Sequence, residues 1–369
     1  MRIVQAGVGG FGKGWARRLA STSEVTLGGI ADPSPRAREW AVAELGLSPA
    51  ACVPTVGEAM TLGGVDGVVV TTPPPSHAEV SIAALAGGAH VLVEKPLATN
   101  LEDGRSMIGA ADRAGRLLMV SQNYRFRRSV RTVQHLVTSG TLGPLQSVRI
   151  TFRRDSRDLF GTGDFRLELP HPLLTDMAIH HFDLLRAVTG QEVVTAYARS
   201  WRVPDSPYRH EPAAIATFSL DDGTPVLYDG NWAPFGEETS WNGHWELLGE
   251  RGRLVWSGGS TDEPEETVTL QAWGEPAREV PLEPVADPDQ AGTLRAWIDA
   301  IATGVAPEID ARDNIRSLAI VLGCVRSVES GELVSCIEPS VAAADERMPA
   351  HDATMVGSTR SFPSTSAAV

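Results

Sequence analysis

The chain opens with a short apolar strand, Ile3 to Ala6, that runs straight into Gly7-Val8-Gly9-Gly10-Phe11-Gly12. A helical pattern follows at once, with Trp15, Ala16, Leu19 and Ala20 on one face. A G-x-G-x-x-G run is informative only in this setting, with a strand before it and a helix after it. Gly7 permits the tight turn, Gly9 lets a pyrophosphate approach the backbone, and Gly12 lets helix and strand pack closely. Gly10 and Phe11 complete the loop, and the amides at the helix start are free to hold phosphate. A second strand, Val25 to Ala31, ends at Asp32, twenty positions beyond Gly12. A carboxylate there accepts hydrogen bonds from both hydroxyls of an adenosine ribose and repels a 2′-phosphate, which favours NAD. Arg36 and Arg38 lie close enough to soften that repulsion, so NADP stays open.

The alternation of strand and helix continues as far as Ser121. Ser34-Pro35 starts a helix that Gly46 ends. Val65 to Thr72 reads as a buried strand, and Pro73-Pro74-Pro75-Ser76-His77 follows it. Ser76 and Glu79 have the spacing of a capping box for a helix to Gly87. His90 to Val93 is the next strand, and Glu94-Lys95-Pro96 stands at its end. A charged pair at the end of a buried strand is costly unless it has work there. Ligands of such sheets sit at the carboxyl ends of the strands, so Thr72, Pro73, His77, Glu94 and Lys95 are expected to line a cofactor crevice. For His77, a place in the helix start is the competing use. A helix over 100–115 and a strand over 117–121 complete a doubly wound parallel sheet.

From Asn123 the pattern changes. A helix is expected over 129–139, then strands over 146–153, 192–200, 213–220, 224–229, 244–249, 253–256 and 267–273, several joined by turns such as Asp222-Gly223. Short turns between successive strands imply a largely antiparallel sheet. A helix over 173–188 interrupts the strands, and helices at about 289–303 and 311–329 close this second domain. The expected division is therefore 1–122, a dinucleotide-binding α/β domain, and 123–338, a substrate-binding and oligomerisation α/β domain. Residues 339–369, rich in Ala, Ser, Thr and Pro, read as a disordered tail.

In the 173–188 helix, Asp176 and His180 are spaced i, i+4 and share a face. An imidazole beside a carboxylate suits proton exchange with an alcohol or carbonyl. A surface ion pair is the ordinary alternative. A metal site drawn from His171, Asp176, His180 and His181 is disfavoured because adjacent residues diverge on a helix. Ser156 to His171, with Arg157, Asp164 and Arg166, is a long polar loop before that helix. Trp232 and Trp241 could face a sugar, although core packing is the commoner use.

Composition narrows the partners. With 32 Lys and Arg against 46 Asp and Glu, the formal charge of -14 argues against nucleic acid and anionic membranes. Three isolated cysteines without a CxxC motif indicate neither disulfides nor thiolate zinc and fit a reducing cytoplasm. The amino terminus begins a strand rather than an export signal, and no apolar run reaches membrane-spanning length, so a soluble, unexported protein is expected.

Taken together, the glycine loop, Glu94-Lys95-Pro96, Asn123-Tyr124-Arg125 and Asp176-x-x-x-His180 resemble the Gfo/Idh/MocA oxidoreductases over about residues 1–335. The resemblance implies a Rossmann domain followed by an α/β domain whose open sheet mediates homodimers or homotetramers. It also implies NAD(P)-dependent interconversion of secondary alcohols and ketones on sugars, glycosides or cyclitols, without metal. On this resemblance Lys95 anchors the reacting oxygen, His180 is the acid/base, and Asp176 binds substrate hydroxyls or orients the pair. Asn123 is expected at the cofactor, and Tyr124, Arg125 and Arg166 at the substrate. Where many relatives have Phe-x-Pro after the Asn-x-Arg junction, Arg127-Arg128-Ser129 stands here, which leaves substrate preference open. Two further functions compete: a redox-cycling enzyme that keeps NAD and cleaves glycosides, and a sugar-sensing binding protein without chemistry.

Overall fold

In the computed structural model the described residues are 1–161, 163–257 and 266–337. The segment read as a tail, 339–369, lies outside them. Among the described residues two sheets form. The first contains β1 (Arg2–Ala6), β2 (Thr26–Ala31), β3 (Cys52–Val53), β4 (Gly67–Val70), β5 (His90–Glu94) and β6 (Leu118–Ser121), in the order β3-β2-β1-β4-β5-β6. Every pairing in it is parallel. The strand order reverses between β1 and β4, and a switch point of this kind opens the ligand crevice of a doubly wound sheet. The short strand β3 and the helix Val56–Met60 are additions to the sequence reading.

Ser34 caps its helix as expected, accepting from the Ala37 amide, and Gly46 closes it in the left-handed region at φ 68°. The capping box at Ser76 does not form. A single 3-10 turn, Pro74–Ser76, intervenes, and Ser76 Oγ donates to Pro73 O instead. Three consecutive prolines favour that tight turn over a regular helix start.

The second sheet contains β7 (Leu145–Arg153), β8 (Val193–Trp201), β9 (Ala213–Leu220), β10 (Pro225–Asn231), β11 (His244–Gly249), β12 (Gly252–Ser257), β13 (Thr267–Ala272), β14 (Arg278–Glu279) and β15 (Val334–Ser335). Their order is β14-β13-β12-β11-β7-β10-β9-β8-β15. It is antiparallel except where β7 and β10 run parallel, Val148 opposite Val226. Side chains alternate strictly. Ala214, Ala216, Phe218 and Leu220 of β9 face the core, while Ile215 faces outward with Tyr197, Trp201 and Leu227 of the neighbouring strands. Those four outward residues are 36–49% exposed, an apolar face on an otherwise acidic chain.

Against the inner face lies the helix Ala178–Thr189, buried on nearly every side, with Phe182 meeting Phe218 and Tyr228 edge to face. The two carboxyl-terminal helices do more than close this half. Gln290–Thr303 packs under the first sheet, and Leu294, Trp297 and Ile298 share a core with Ile3, Val69, Leu92 and Met119. Gly67 is needed there, since a Cβ on it would stand 2.4 Å from the Trp297 ring. Helix Ala311–Ser330 serves both halves, Leu318 packing with Val91 and Val93, Ile320 and Cys324 with the second sheet.

Because Trp297 is fully buried between the sheet and its own helix, Trp297→Ala should lower unfolding free energy by about 3–5 kcal/mol. Urea denaturation would show it, and Trp40→Ala, on the rim of the same half, serves as the comparison.

Candidate active site

The carboxyl ends of β1, β4 and β5 meet at the glycine loop. Gly7 has φ 87°, and a Cβ there would press on the Thr72 amide at 2.9 Å. A Cβ on Gly12 would lie 2.6 Å from Gly7 O, whereas Gly9 and Gly10 look into open space. The loop is pinned from beneath by Gln5, a fully buried residue that sequence reading passed over. Its Nε2 donates to Gly7 O at 2.8 Å and Gly12 O at 2.7 Å. A cavity of about 320 Å³ opens over the loop, lined by Val8, Gly9, Gly10, Lys13, Arg36 and Trp40 among others. The helix start carries no acidic residue and no capping side chain, so its positive end faces this space. These features fit a dinucleotide pyrophosphate and adenosine.

Asp32, at the end of β2, is mostly buried, with Oδ2 accepting from the amide of Val8 at 2.8 Å and Oδ1 from that of Ser34 at 2.9 Å, two residues that line the cavity. Arg38 turns back to donate to the carbonyl oxygens of Asp32 and Pro33. Of the two arginines weighed for a 2′-phosphate, Arg36 is the one that lines the cavity.

Two residues expected at the cofactor are held as braces. His77 is fully buried, with Nδ1 2.8 Å from Pro96 O and Nε2 2.9 Å from Thr72 O. It ties Pro73 and the end of β4 to the Lys95-Pro96 turn and presents no ring atom to a ligand. Glu94 accepts from Trp15 Nε1 at 2.6 Å, locking the first helix to the end of β5. Burial lifts its carboxyl above the ordinary value, opposed by the Trp15 N–H and Lys95.

Lys95 points toward the second half. Its Nζ donates to Asp176 Oδ1 and to Asp176 O, both at 2.8 Å. The sequence pattern suggested an α-helix here, but Leu173–Met177 is a π turn and the α-helix begins at Ala178. Such wide turns recur at functional sites. The second carboxylate oxygen of Asp176 accepts from Arg166 Nε at 3.0 Å, and Arg166 in turn reaches Asp164 and lies over the rings of Phe160 and Phe165. Burial pushes the Asp176 carboxyl up, but Lys95 and Arg166 outweigh it and hold it below its usual value.

No hydrogen bond joins Asp176 to His180 among the described residues. The two carboxylate oxygens accept from Lys95 and Arg166, so the shared face predicted from i, i+4 spacing does not become an Asp-His pair. His180 instead stacks on Tyr124, ring centroids 4.2 Å apart and 14° from coplanar. Burial, then the charges of Lys95, His181 and Arg127, keep its imidazole neutral far below the ordinary histidine value. Its Nδ1 is buried without a protein partner.

Arg125 is a correction. It is buried and forms a bidentate pair with Asp183, Nε to Oδ2 at 2.6 Å and Nη2 to Oδ1 at 2.7 Å, with a further bond to Asp313. Its donors fix the Ala178–Thr189 helix and cannot reach a substrate. Asn123 donates to Asp289 Oδ1 at 3.3 Å. Trp232 is core, stacked on Tyr208, and Trp241 packs on Phe152 beneath Arg154. His181 bonds Tyr228 Oη and Trp241 O, and no group of three or more His, Cys, Asp or Glu among the described residues is arranged to hold a metal. No described helix is long and apolar enough to cross a membrane.

A doubly wound parallel sheet whose first turn is a glycine loop under an open cavity marks a protein of the NAD-binding Rossmann class. Residues 1–122 match the family described as "Oxidoreductase family, NAD-binding Rossmann fold", and residues 130–255 match the "GFO/IDH/MocA C-terminal domain". The chain belongs to the Gfo/Idh/MocA oxidoreductases. It is 30% identical over 272 residues to a 1,5-anhydro-D-fructose reductase of Ensifer adhaerens, covering 73% of this chain and 79% of that one. It is 33% identical over 199 residues to a myo-inositol 2-dehydrogenase of Thermotoga maritima, covering 54% and 58%. An inositol dehydrogenase homolog of Azotobacter vinelandii, solved with NADH and myo-inositol, has the same fold at a TM-score of 0.76 and 20% identity, covering 91% and 97%.

Burial holds His181 neutral down to about 4, whereas unfolded it takes its proton near the ordinary 6.5. Between these values the unfolded chain binds the extra proton, so acid favours unfolding. Stability should therefore fall as pH drops from 6.5 toward 4, by about 3 kcal/mol from this residue at pH 4. Urea midpoints across that range would show the loss, and His181→Gln should make it smaller, His180 and His77 contributing the remainder.

Proposed function

We propose that this oxidoreductase moves hydride between a nicotinamide cofactor and a secondary alcohol or ketone of a sugar or cyclitol. The observation that carries the reading is that Lys95, from the end of β5, holds Asp176 four positions before a His180 whose imidazole is kept neutral by burial and by the Lys95 charge. Bound nicotinamide supplies the two-electron acceptor or donor. Lys95 has three N–H groups and spends two on Asp176, so the third can donate to the substrate oxygen and stabilise charge that develops on it. His180, kept neutral, is in the form that accepts the hydroxyl proton, and it returns that proton to a carbonyl in the reverse direction. With Nδ1 sealed in the protein and carrying the neutral ring's proton, the exchange falls to Nε2. Asp176 and Arg166 bind neighbouring hydroxyls, as a pair that both accepts and donates suits a polyol.

The names of the reductase and inositol dehydrogenase relatives support this substrate class. Asp32 supports NAD, while Arg36 in the cavity wall leaves room for NADP. The apolar outer face of the second sheet, at Tyr197, Trp201, Ile215 and Leu227, supports a homodimer or homotetramer formed through it.

Incubation with NAD and separately NADP across monosaccharides, inositols and simple glycosides tests the proposal, following reduced cofactor and aglycone release in parallel. Reduced cofactor should accumulate with one class of polyol. Aglycone release without net reduction would replace the proposal with a redox-cycling glycosidase, and silence in both channels would favour a sensor. His180→Asn should lower kcat about 10²–10⁴-fold while NAD affinity measured by calorimetry stays unchanged. Asp32→Ala should narrow the preference for NAD, read as the ratio of kcat/KM for the two cofactors.

A further inference from the structure

A histidine used in proton exchange is commonly oriented by a hydrogen bond to its second ring nitrogen. His180 has none among the described residues, since Nδ1 is unpartnered and Asp176 is committed elsewhere. What the ring does have is a stack. Tyr124 lies against it at 4.2 Å, and the Arg127 guanidinium carbon stands 3.5 Å from the Tyr124 centroid. Two groups so near one ring centre must occupy opposite faces, so the phenol is sandwiched between guanidinium and imidazole.

Arg127 is held more firmly than its ring contact needs. Nε donates to Asp289 Oδ1 at 2.7 Å and Nη1 to Asn242 Oδ1. Asp289 has φ 53°, the left-handed region that residues other than glycine seldom occupy. Asn123 donates to the same carboxylate oxygen, and the next residue, Gln290, lines the space beside Phe11 and Lys13 of the cofactor loop. Three separate stretches of chain thus converge on one side of one ring.

We propose that Arg127 is a positioning residue: clamped by Asp289 and Asn242, its guanidinium presses Tyr124 flat against His180 and sets which edge of the imidazole meets the substrate. The proposal rests on the proton-exchange role given to His180 above. The charged and titratable groups around that imidazole are Lys95 from the end of β5, Arg127 and Tyr124 from the junction, Asp176 from the π turn and His181 from its own helix. Asp176 is balanced by its two cations, so Arg127 also adds to the positive field that disfavours a protonated ring.

The test compares Arg127→Met, which removes both charge and plane, with Arg127→Lys, which restores charge alone. The His180 ring C–H signal, assigned by its loss in His180→Asn, is titrated by NMR in the substrate-free protein, and kcat and KM are taken across pH. Arg127→Met should raise the His180 midpoint by about one unit and lower kcat at least about tenfold, with cofactor affinity unchanged. Arg127→Lys should restore the midpoint but not kcat. A folded Arg127→Met with wild-type titration and kcat overturns the clamp, as does full recovery of kcat by lysine. Should Arg127→Met fail to fold, Asp289→Asn decides: a fall in kcat with KM unchanged supports the clamp, and wild-type kcat refutes it. The NMR titration needs no substrate. A chain that turns over no polyol would sink the proposed reaction, and the His180 titration would still judge the stack.

Discussion

The ion pair between Lys95 and Asp176 is the contact on which the site depends. One partner ends a strand of the first sheet and the other lies in the turn beneath the second, so the pair exists only once both halves have formed. Its side chains are 16% and 11% exposed, and removing one partner of a pair this sheltered typically costs 3–5 kcal/mol. The π turn shapes the pair. By widening the chain just before the α-helix begins, it turns the Asp176 carbonyl as well as its carboxylate toward Nζ. The lysine is therefore held at two points and its remaining donor direction is set.

Around this pair the molecule keeps two charge systems apart. One ties the fold. Arg125 and Arg186 bind Asp183, Asp313 and Glu192 around the buried helix, and Ser317 donates to the same Asp183. The other surrounds His180, where Lys95 and Arg166 pair with Asp176, Arg166 also with Asp164, and Arg127 with Asp289. The placement of the cations has a chemical consequence: Lys95 and Arg166 favour an ionised Asp176, and Lys95 and Arg127 a neutral His180. Burial acts in the same direction on His180 and against it on Asp176.

Much of this was legible in the residues. The glycine loop, the acid at the end of the second strand, the Glu-Lys-Pro turn and the alternation of strand and helix each follow from local rules, and they led to the right sheet and family. Errors came where one residue has two plausible partners. Arg125 next to a crevice reads as a ligand residue until Asp183, 58 positions away, is seen to take both ends of its guanidinium. His77 and Glu94 stand at the crevice in sequence, but their polar atoms close on backbone and Trp15. Gln5, in the middle of an apolar strand, gave no signal at all, since its partners are carbonyls that only the folded loop brings within reach.

The sequence by itself determined the first sheet and its glycine loop and singled out Lys95, Asp176 and His180 as candidates, because periodicity, glycine placement and strand-end charges are set by neighbours in the chain. Tertiary structure decided the relations among them. The parallel pairing of β7 with β10, the seat of Trp297 under the first sheet, the Lys95–Asp176 pair and the Arg127–Tyr124–His180 stack each join residues that are distant in sequence. No local propensity encodes such contacts, since each depends on burial and on a partner supplied by another part of the fold.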